Sequence, residues 1–160
     1  MITRRQLFAG ILGLTAGPSW CQPQETLAAA DVIVVGAGLA GLSAAVSARE
    51  AGARRVLILE KDVMIGGHSI MSSGVHWSDQ VFESYSSFQR RGHISSPVRA
   101  GYDYVMALLE CARRLDVKIL LGHRAERLIT ENGHIVGAAG VCRGCQAFEA
   151  RAHAVILATG

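Results

Sequence analysis

The chain has 160 residues, half of them hydrophobic and 18% charged, with a formal net charge of +3. Without the first thirty residues it would keep about 130 residues and a charge of +2, enough for one modest domain with a core. Its basic residues are scattered along the sequence, so no partner of nucleic acid type is expected.

Residues 1–30 have the pattern of an export signal of the twin-arginine type. Arg4 and Arg5 precede an apolar stretch at 9–16, and the first acidic residue is Glu25. This stretch is far shorter than the roughly 20 residues that span a bilayer, so no stable membrane span is expected. We predict export to a periplasmic or other extracytoplasmic compartment. The alternative is an ordinary N-terminal helix that carries two arginines.

Two cleavage sites for this leader fit the preference of signal peptidases for small residues. Ala28-Ala29-Ala30 lies directly before Asp31, and Ser19-x-Cys21 lies further upstream. The sequence leaves both open. We place the domain boundary after residue 30, which makes 31–160 the folded domain.

Residues 31–60 read as a strand, a glycine turn, a helix and a second strand that ends in an acid. The β-branched run Val32–Val35 is typical of a buried parallel strand. Gly36, Gly38 and Gly41 then follow the spacing that makes a tight turn, admits a pyrophosphate and packs a helix on a strand. Glu60 lies nineteen residues after Gly41, where a carboxylate can accept a hydrogen bond from a ribose 2′-hydroxyl. The pattern predicts a dinucleotide site, the alternative being a glycine-rich turn of structural use alone.

A second glycine cluster follows the acid and indicates which dinucleotide is bound. Residues 66–74 read Gly-Gly-His-Ser-Ile-Met-Ser-Ser-Gly. Backbone amides and serine hydroxyls held close to a bulky polar group suit the oxygens of a flavin dinucleotide. A nicotinamide-dependent dehydrogenase does not need such a loop at this point. The alternative is a flexible surface loop.

The remaining sequence predicts one helix, one buried strand and an antiparallel meander. The helix is expected at 101–115 and the buried strand at 117–121. The meander is expected at 125–130, 134–141 and 146–150, with an Asn132-Gly133 hairpin turn. Cys142-x-x-Cys145 follows a predicted strand and has no second pair, so a structural or incidental disulfide is favoured over a redox or zinc site.

Residues 31–74 and the terminal Ala154-Val-Ile-Leu-Ala-Thr-Gly160 resemble the FAD-binding domain of the fumarate reductase and succinate dehydrogenase flavoprotein family. The soluble flavocytochrome c type is the most similar, and the resemblance covers its N-terminal portion only. It implies an α/β fold: a doubly wound, glutathione-reductase-type parallel sheet with an inserted antiparallel meander, truncated at its C-terminal end. The segment from Ala154 is similar to the family's second FAD-contacting strand and turn, so Val155–Leu157 is expected beside Val32–Val35 in the sheet. It also implies reduction of an unsaturated carboxylate such as fumarate, with electrons from a cytochrome or a quinol-linked protein.

The resemblance implies contacts to FAD but no catalytic residue, because the family's substrate-binding groups lie in parts that have no counterpart here. No metal ligands are expected. His68 stands where membrane-bound members attach the flavin covalently, but its neighbouring glycines match the noncovalent soluble type, so a noncovalent contact is favoured. The implied cofactor-binding residues are Gly36, Ala37, Gly38, Ala40, Gly41, Glu60, Lys61, Gly67, His68, Ser69, Ser73, Gly74, Ala125, Ala158, Thr159 and Gly160.

Three other readings stay open. The same FAD domain occurs in other oxidases and dehydrogenases, since one fold hosts many reactions. A second hypothesis is a noncatalytic, truncated remnant that binds FAD weakly or not at all. For the chain alone, a hydrophobic strand edge left without its neighbour would favour aggregation. The third is a nicotinamide-binding Rossmann protein. The glycine- and serine-rich loop at 66–74 and the antiparallel meander argue against it.

Overall fold

A computed structural model describes residues 25–72, 100–144 and 147–160. The predicted export signal up to residue 24, the last two residues of the 66–74 loop, Ser73 and Gly74, and Cys145 lie outside the described residues. Within the described ranges the elements, in chain order, are β1 Glu25–Thr26, β2 Ala30–Val35, α1 Leu39–Glu50, β3 Val56–Leu59, the 3-10 helix η1 Gly67–Met71, α2 Ala100–Arg114, β4 Lys118–Leu120, β5 His123–Glu131, β6 His134–Cys142 and β7 Phe148–Leu157.

The strands form one mixed sheet in the order β4-β3-β2-β7-β6-β5, with β1 paired to β7. The first four strands of this order are parallel, and β5, β6 and β7 form an antiparallel meander. The predicted α/β fold with a parallel sheet and an inserted meander is therefore confirmed. The hairpin between β5 and β6 turns at Asn132 and Gly133, whose φ angles of 50° and 78° are those of a tight turn with two left-handed residues.

Strand β7 differs from the prediction because two expected segments form one strand. We expected a meander strand at 146–150 and a separate strand from Ala154, but β7 runs without a break through both. Its first half pairs with β6, and its second half pairs with β2, with Ile33 opposite Val155 and Val35 opposite Leu157. No glycine or proline interrupts this run, so nothing in the sequence stops the strand between the two pairings.

Two hydrophobic clusters cover the two faces of the parallel strands. Alternate residues of β2 point to opposite faces, as the period of a strand requires. Val34 packs with α1 and α2 in the first cluster, whereas Ile33 and Val35 pack with Phe148 and other meander residues in the second. The helices thus lie on one face, and the antiparallel strands contribute to the core on the other. This leaves the carboxyl ends of β2 and β3 open for a site.

Residues 25–30, which we assigned to the leader, take part in this fold. β1 pairs with the start of β7, and the side chain of Leu27 is 7% exposed within the second cluster. No helix among the described residues is long and apolar enough to cross a membrane.

Candidate dinucleotide site

The glycine turn between β2 and α1 uses its three glycines in different ways. Gly36 has a φ of 107°, and a Cβ there would overlap the carbonyl oxygen of Ala158. A Cβ on Gly41 would overlap the carbonyl oxygen of Gly36. Gly38 differs, because the nearest atoms to a Cβ there are 3.8 and 3.9 Å away. The first and third glycines therefore allow the turn to close, while the space beside Gly38 is free for a ligand.

Glu60 is a buried acid that holds the turn in place. Its side chain lies at the end of β3, and the residue is 7% exposed. Its Oε2 accepts a hydrogen bond from the Ala37 N–H at 2.7 Å, and its Oε1 accepts one from the Asp62 N–H at 2.9 Å. Each carboxylate oxygen has a second lone pair, so both can also accept from a ribose hydroxyl. We predicted only the ribose contact; the structure adds a bond to the glycine turn itself.

The second glycine cluster lies directly against the first. The N–H of Gly66 donates to the carbonyl of Ala37 at 2.8 Å, and Gly66 forms a parallel bridge with Gly38. The hydroxyl of Ser69 accepts the Leu39 N–H at 3.3 Å, at the first turn of α1. Gly66 was not among the predicted site residues. The adjacent Gly66-Gly67 pair was the sequence feature that indicated it.

These segments line one cavity of about 1260 Å³, the size range of a large cofactor. Eleven of the predicted residues lie on its wall: Gly36, Gly38, Ala40, Glu60, Lys61, Gly67, His68, Ser69, Ala158, Thr159 and Gly160. Ala37 is fully buried in the turn, and Gly41 is buried in the first turn of α1, against the carbonyl of Gly36. Ala125 packs against the second hydrophobic cluster instead, while its neighbour Arg124 lines the cavity.

Three basic residues line the same cavity. Arg124 and Arg143 line it from the meander, and Lys61 lines it from the end of β3. Lys61 also forms an ion pair with Asp62. Three cations beside two carboxylates leave an excess of positive charge, which favours an anionic ligand such as a pyrophosphate. The sequence did not predict these arginines, because the pattern of a strand does not determine which of its side chains will face a distant cavity.

The N-terminus of α1 contributes to the same preference. Gly38 is the residue that caps the helix, and Ala40 in its first turn lines the cavity. The first N–H groups of a helix have no partner within it and carry a partial positive charge. A phosphate placed beside Gly38 would accept hydrogen bonds from these groups.

Cys142 is disulfide-bonded at the cavity wall, as the last residue of β6. Its sulfur lies within 4.8 Å of ligand atoms of Glu25 and His123, a grouping that could hold a metal ion. A disulfide sulfur is not a thiolate, however, and only the thiolate is a good metal ligand. In this state the group is not a metal site.

Two described groups have a pKa that departs clearly from its ordinary value, and both lie away from the cavity wall. Hydrogen bonds from the backbone N–H groups of Arg55 and Arg54 lower the pKa of Asp31. Burial raises the pKa of Tyr104, which packs between the helices and the sheet.

Comparison with known proteins agrees with this geometry. Residues 31–80 match a family model described as an FAD binding domain. The chain is 44% identical over 61 residues to a fumarate reductase (cytochrome) of Shewanella frigidimarina, a match that covers 36% of the chain and 10% of that relative. It is 48% identical over 52 residues to a urocanate reductase of Eggerthella lenta, covering 32% of the chain and 8% of the relative. The matches thus span a tenth or less of these relatives.

Solved structures share the fold over most of the chain. A 3-ketosteroid-Δ4-(5α)-dehydrogenase from Rhodococcus jostii superposes with a TM-score of 0.72 at 19% identity, covering 87% of this chain and 48% of that one. The open conformation of a flavocytochrome c3 fumarate reductase superposes with a TM-score of 0.67 at 22% identity, covering 89% of this chain and 34% of that one. The predicted resemblance is confirmed: the chain carries an FAD-binding domain of the kind found in FAD-dependent oxidoreductases related to fumarate reductase and urocanate reductase.

Proposed function

We propose that this chain supplies the FAD-binding part of an exported oxidoreductase that reduces an unsaturated carboxylate. The observation that carries the proposal is the convergence of the glycine turn, Glu60 and the terminal Ala158–Gly160 segment on one cavity. The relatives support the substrate class, since fumarate and urocanate both have a carbon–carbon double bond conjugated to a carboxylate. Bound FAD would supply hydride transfer to such a bond.

The chain's own residues bind and orient the cofactor. The space beside Gly38 and the start of α1 would receive the pyrophosphate, and Glu60 would accept hydrogen bonds from the adenosine ribose. Arg124 and Arg143 would neutralise part of the negative charge. These roles use residues that the described fold already holds in position.

Attachment of the cofactor is proposed to be noncovalent. His68 is exposed on η1 and lines the cavity, so it can contact the flavin from the protein surface. Denaturation of the FAD-loaded protein in acid should release all of the flavin into the supernatant. If flavin stays with the precipitated natural protein but is released from the His68→Ala variant, His68 forms a covalent bond to it.

Export and the electron donor are further parts of the proposal. Arg4 and Arg5 before a short apolar run support a twin-arginine signal, which carries folded cargo. A cytochrome or a quinol-linked protein would then deliver electrons outside the cytoplasm. The name of one relative includes the word cytochrome, which supports the first of these donors. Changing both arginines to lysine should stop export of the chain, and export that persists would point to another kind of signal.

The cofactor is tested by titrating the purified chain with FAD and with NAD, followed by flavin fluorescence and calorimetry. We expect FAD to bind more tightly, and tighter binding of NAD would overturn the assignment. The substrate class is tested on the protein together with any coding sequence that continues in frame after Gly160. Oxidation of a reduced dye by fumarate or urocanate is the expected result, whereas the chain 1–160 alone should be inactive.

A further inference from the structure

Three side chains of types that bind metals meet at the edge of the meander. His123 is the first residue of β5 and stands opposite Cys142, the last residue of β6, in the antiparallel register. Glu25 belongs to β1, which pairs with β7 as β6 does. A carboxylate oxygen of Glu25, a ring nitrogen of His123 and the sulfur of Cys142 all lie within 4.8 Å of one another. Segments that are far apart in the chain thus bring one oxygen, one nitrogen and one sulfur atom together.

The ring of His123 is held in a defined orientation. Its Nδ1 lies 2.8 Å from the carbonyl oxygen of Leu121. A carbonyl oxygen only accepts hydrogen bonds, so Nδ1 carries the proton and Nε2 keeps its lone pair in the neutral imidazole. The ring also packs against Phe148, with ring centroids 5.3 Å apart. A backbone carbonyl bound to the other ring nitrogen is a common support of a histidine that binds a metal.

The oxidation state of Cys142 decides whether this group can bind a metal. In the structure its sulfur is disulfide-bonded and therefore is not a thiolate. Reduction by a small dithiol transfers two electrons and two protons to this disulfide. The S–S bond breaks, two cysteine thiols form, and the dithiol becomes a cyclic disulfide. A divalent metal can then displace the proton of the Cys142 thiol, which passes to solvent.

We propose that reduction of the Cys142 disulfide creates a zinc site whose ligands are Cys142, His123 and Glu25. Mixed sulfur, nitrogen and oxygen ligands suit Zn²⁺, whereas Ca²⁺ and Mg²⁺ prefer oxygen alone. A thiolate and a carboxylate together balance the charge of a divalent cation. Water completes the four ligands of a tetrahedral ion.

The distances allow such a site after small movements of the side chains. Zinc–ligand distances of about 2.0–2.3 Å place the ligand atoms of a tetrahedral site about 3.3–3.8 Å apart. The observed limit of 4.8 Å is about 1 Å longer, a difference that side-chain rotation can close. Glu25 is exposed and can make most of this movement, while His123 stays on Leu121 and Phe148.

A zinc ion at this place would connect β1 with β5 and β6. It would bind the folded chain and not the unfolded one, so it should raise the melting temperature of the reduced chain. The oxidised chain lacks the thiolate and should not respond. Because the site uses no FAD, measurements on the cofactor-free chain test it separately from the proposed function.

The test compares oxidised and reduced full chain in a titration with Zn²⁺ against a chromophoric chelator. The chain is reduced with dithiothreitol without oxygen, and the dithiothreitol is removed first because it binds zinc itself. We expect one zinc ion per reduced chain and none per oxidised chain. His123→Ala should weaken binding by about tenfold or more. His134→Ala is the matched control and should bind as the natural chain does, since His134 is exposed at the other end of β6.

Cobalt(II) gives a second readout on the natural chain. A thiolate ligand produces a sulfur-to-metal charge-transfer band in the near ultraviolet, which should appear on reduction and be absent in Cys142→Ser. A reduced chain that binds no zinc and shows no such band would overturn the proposal. So would equal binding by the oxidised chain, or binding that is unchanged in His123→Ala. None of these results would alter the titration with FAD, which tests the proposed function.

Discussion

Replacement of Gly38 by alanine separates binding of FAD from folding of the domain. Gly38 has a φ of −75°, which any L-residue adopts, and its nearest neighbours leave room for a Cβ. Loss of the glycine cap of α1 costs about 0.5–1 kcal/mol, and the reduced entropy of the unfolded chain returns about 0.4–1 kcal/mol. The free energy of unfolding should therefore change little.

Binding of FAD should respond much more strongly to this change. The added methyl group occupies the space through which a pyrophosphate approaches the backbone. Loss of one hydrogen bond from a backbone N–H to a charged oxygen costs about 1.5–3 kcal/mol. That is a rise of roughly 10- to 150-fold in the dissociation constant.

The assay combines a flavin fluorescence titration with thermal unfolding of the cofactor-free chain. Gly41→Ala is the control. Its Cβ would overlap the carbonyl oxygen of Gly36, so this variant should lower the melting temperature of the cofactor-free chain, which Gly38→Ala should not. If Gly38→Ala binds FAD as tightly as the natural chain, the glycine turn is not the phosphate site. If Gly38→Ala fails to fold, the space that the structure places beside Gly38 does not exist.

Three other changes test the surrounding structure. In Glu60→Gln, one of the two carboxylate oxygens becomes an NH₂ group, which cannot accept the hydrogen bond from the Ala37 or the Asp62 N–H. The free energy of unfolding, measured by chemical denaturation, should fall by about 1–3 kcal/mol. Leu27→Ala should lower the free energy of unfolding by about 2–5 kcal/mol, because Leu27 is buried. Leu157→Ala, at a residue that is 62% exposed, should lower it by less than about 0.5 kcal/mol. Equal losses would contradict the burial of Leu27. Backbone hydrogen bonds lower the pKa of Asp31 below its ordinary 3.8, so the charged carboxylate stabilises the fold above that pH. The natural chain should therefore melt at a higher temperature than Asp31→Asn above pH 3.8. The two melting temperatures should converge as the pH falls through the lowered pKa.

Much of the dinucleotide site follows from local sequence. The run Val32–Val35, the spacing of Gly36, Gly38 and Gly41, and the acid Glu60 each reflect a constraint that acts over a few residues or one strand-helix-strand unit. Asn132-Gly133 likewise determines its own turn, because both residues accept positive φ. The glycine and acid pattern predicted a dinucleotide site, and the resemblance of the terminal segment to a family of flavoproteins predicted its pairing with β2.

The tertiary structure decided what depends on distant parts of the chain. Pairing with β2 and β6 made β7 one strand, and folding of the meander brought Arg124 and Arg143 to the cavity. The sequence around Ala28–Ala30 looked like a leader, since small apolar residues satisfy a peptidase and a sheet equally well. Only the partners of Glu25–Ala30, more than a hundred residues away on β7, place that segment inside the domain.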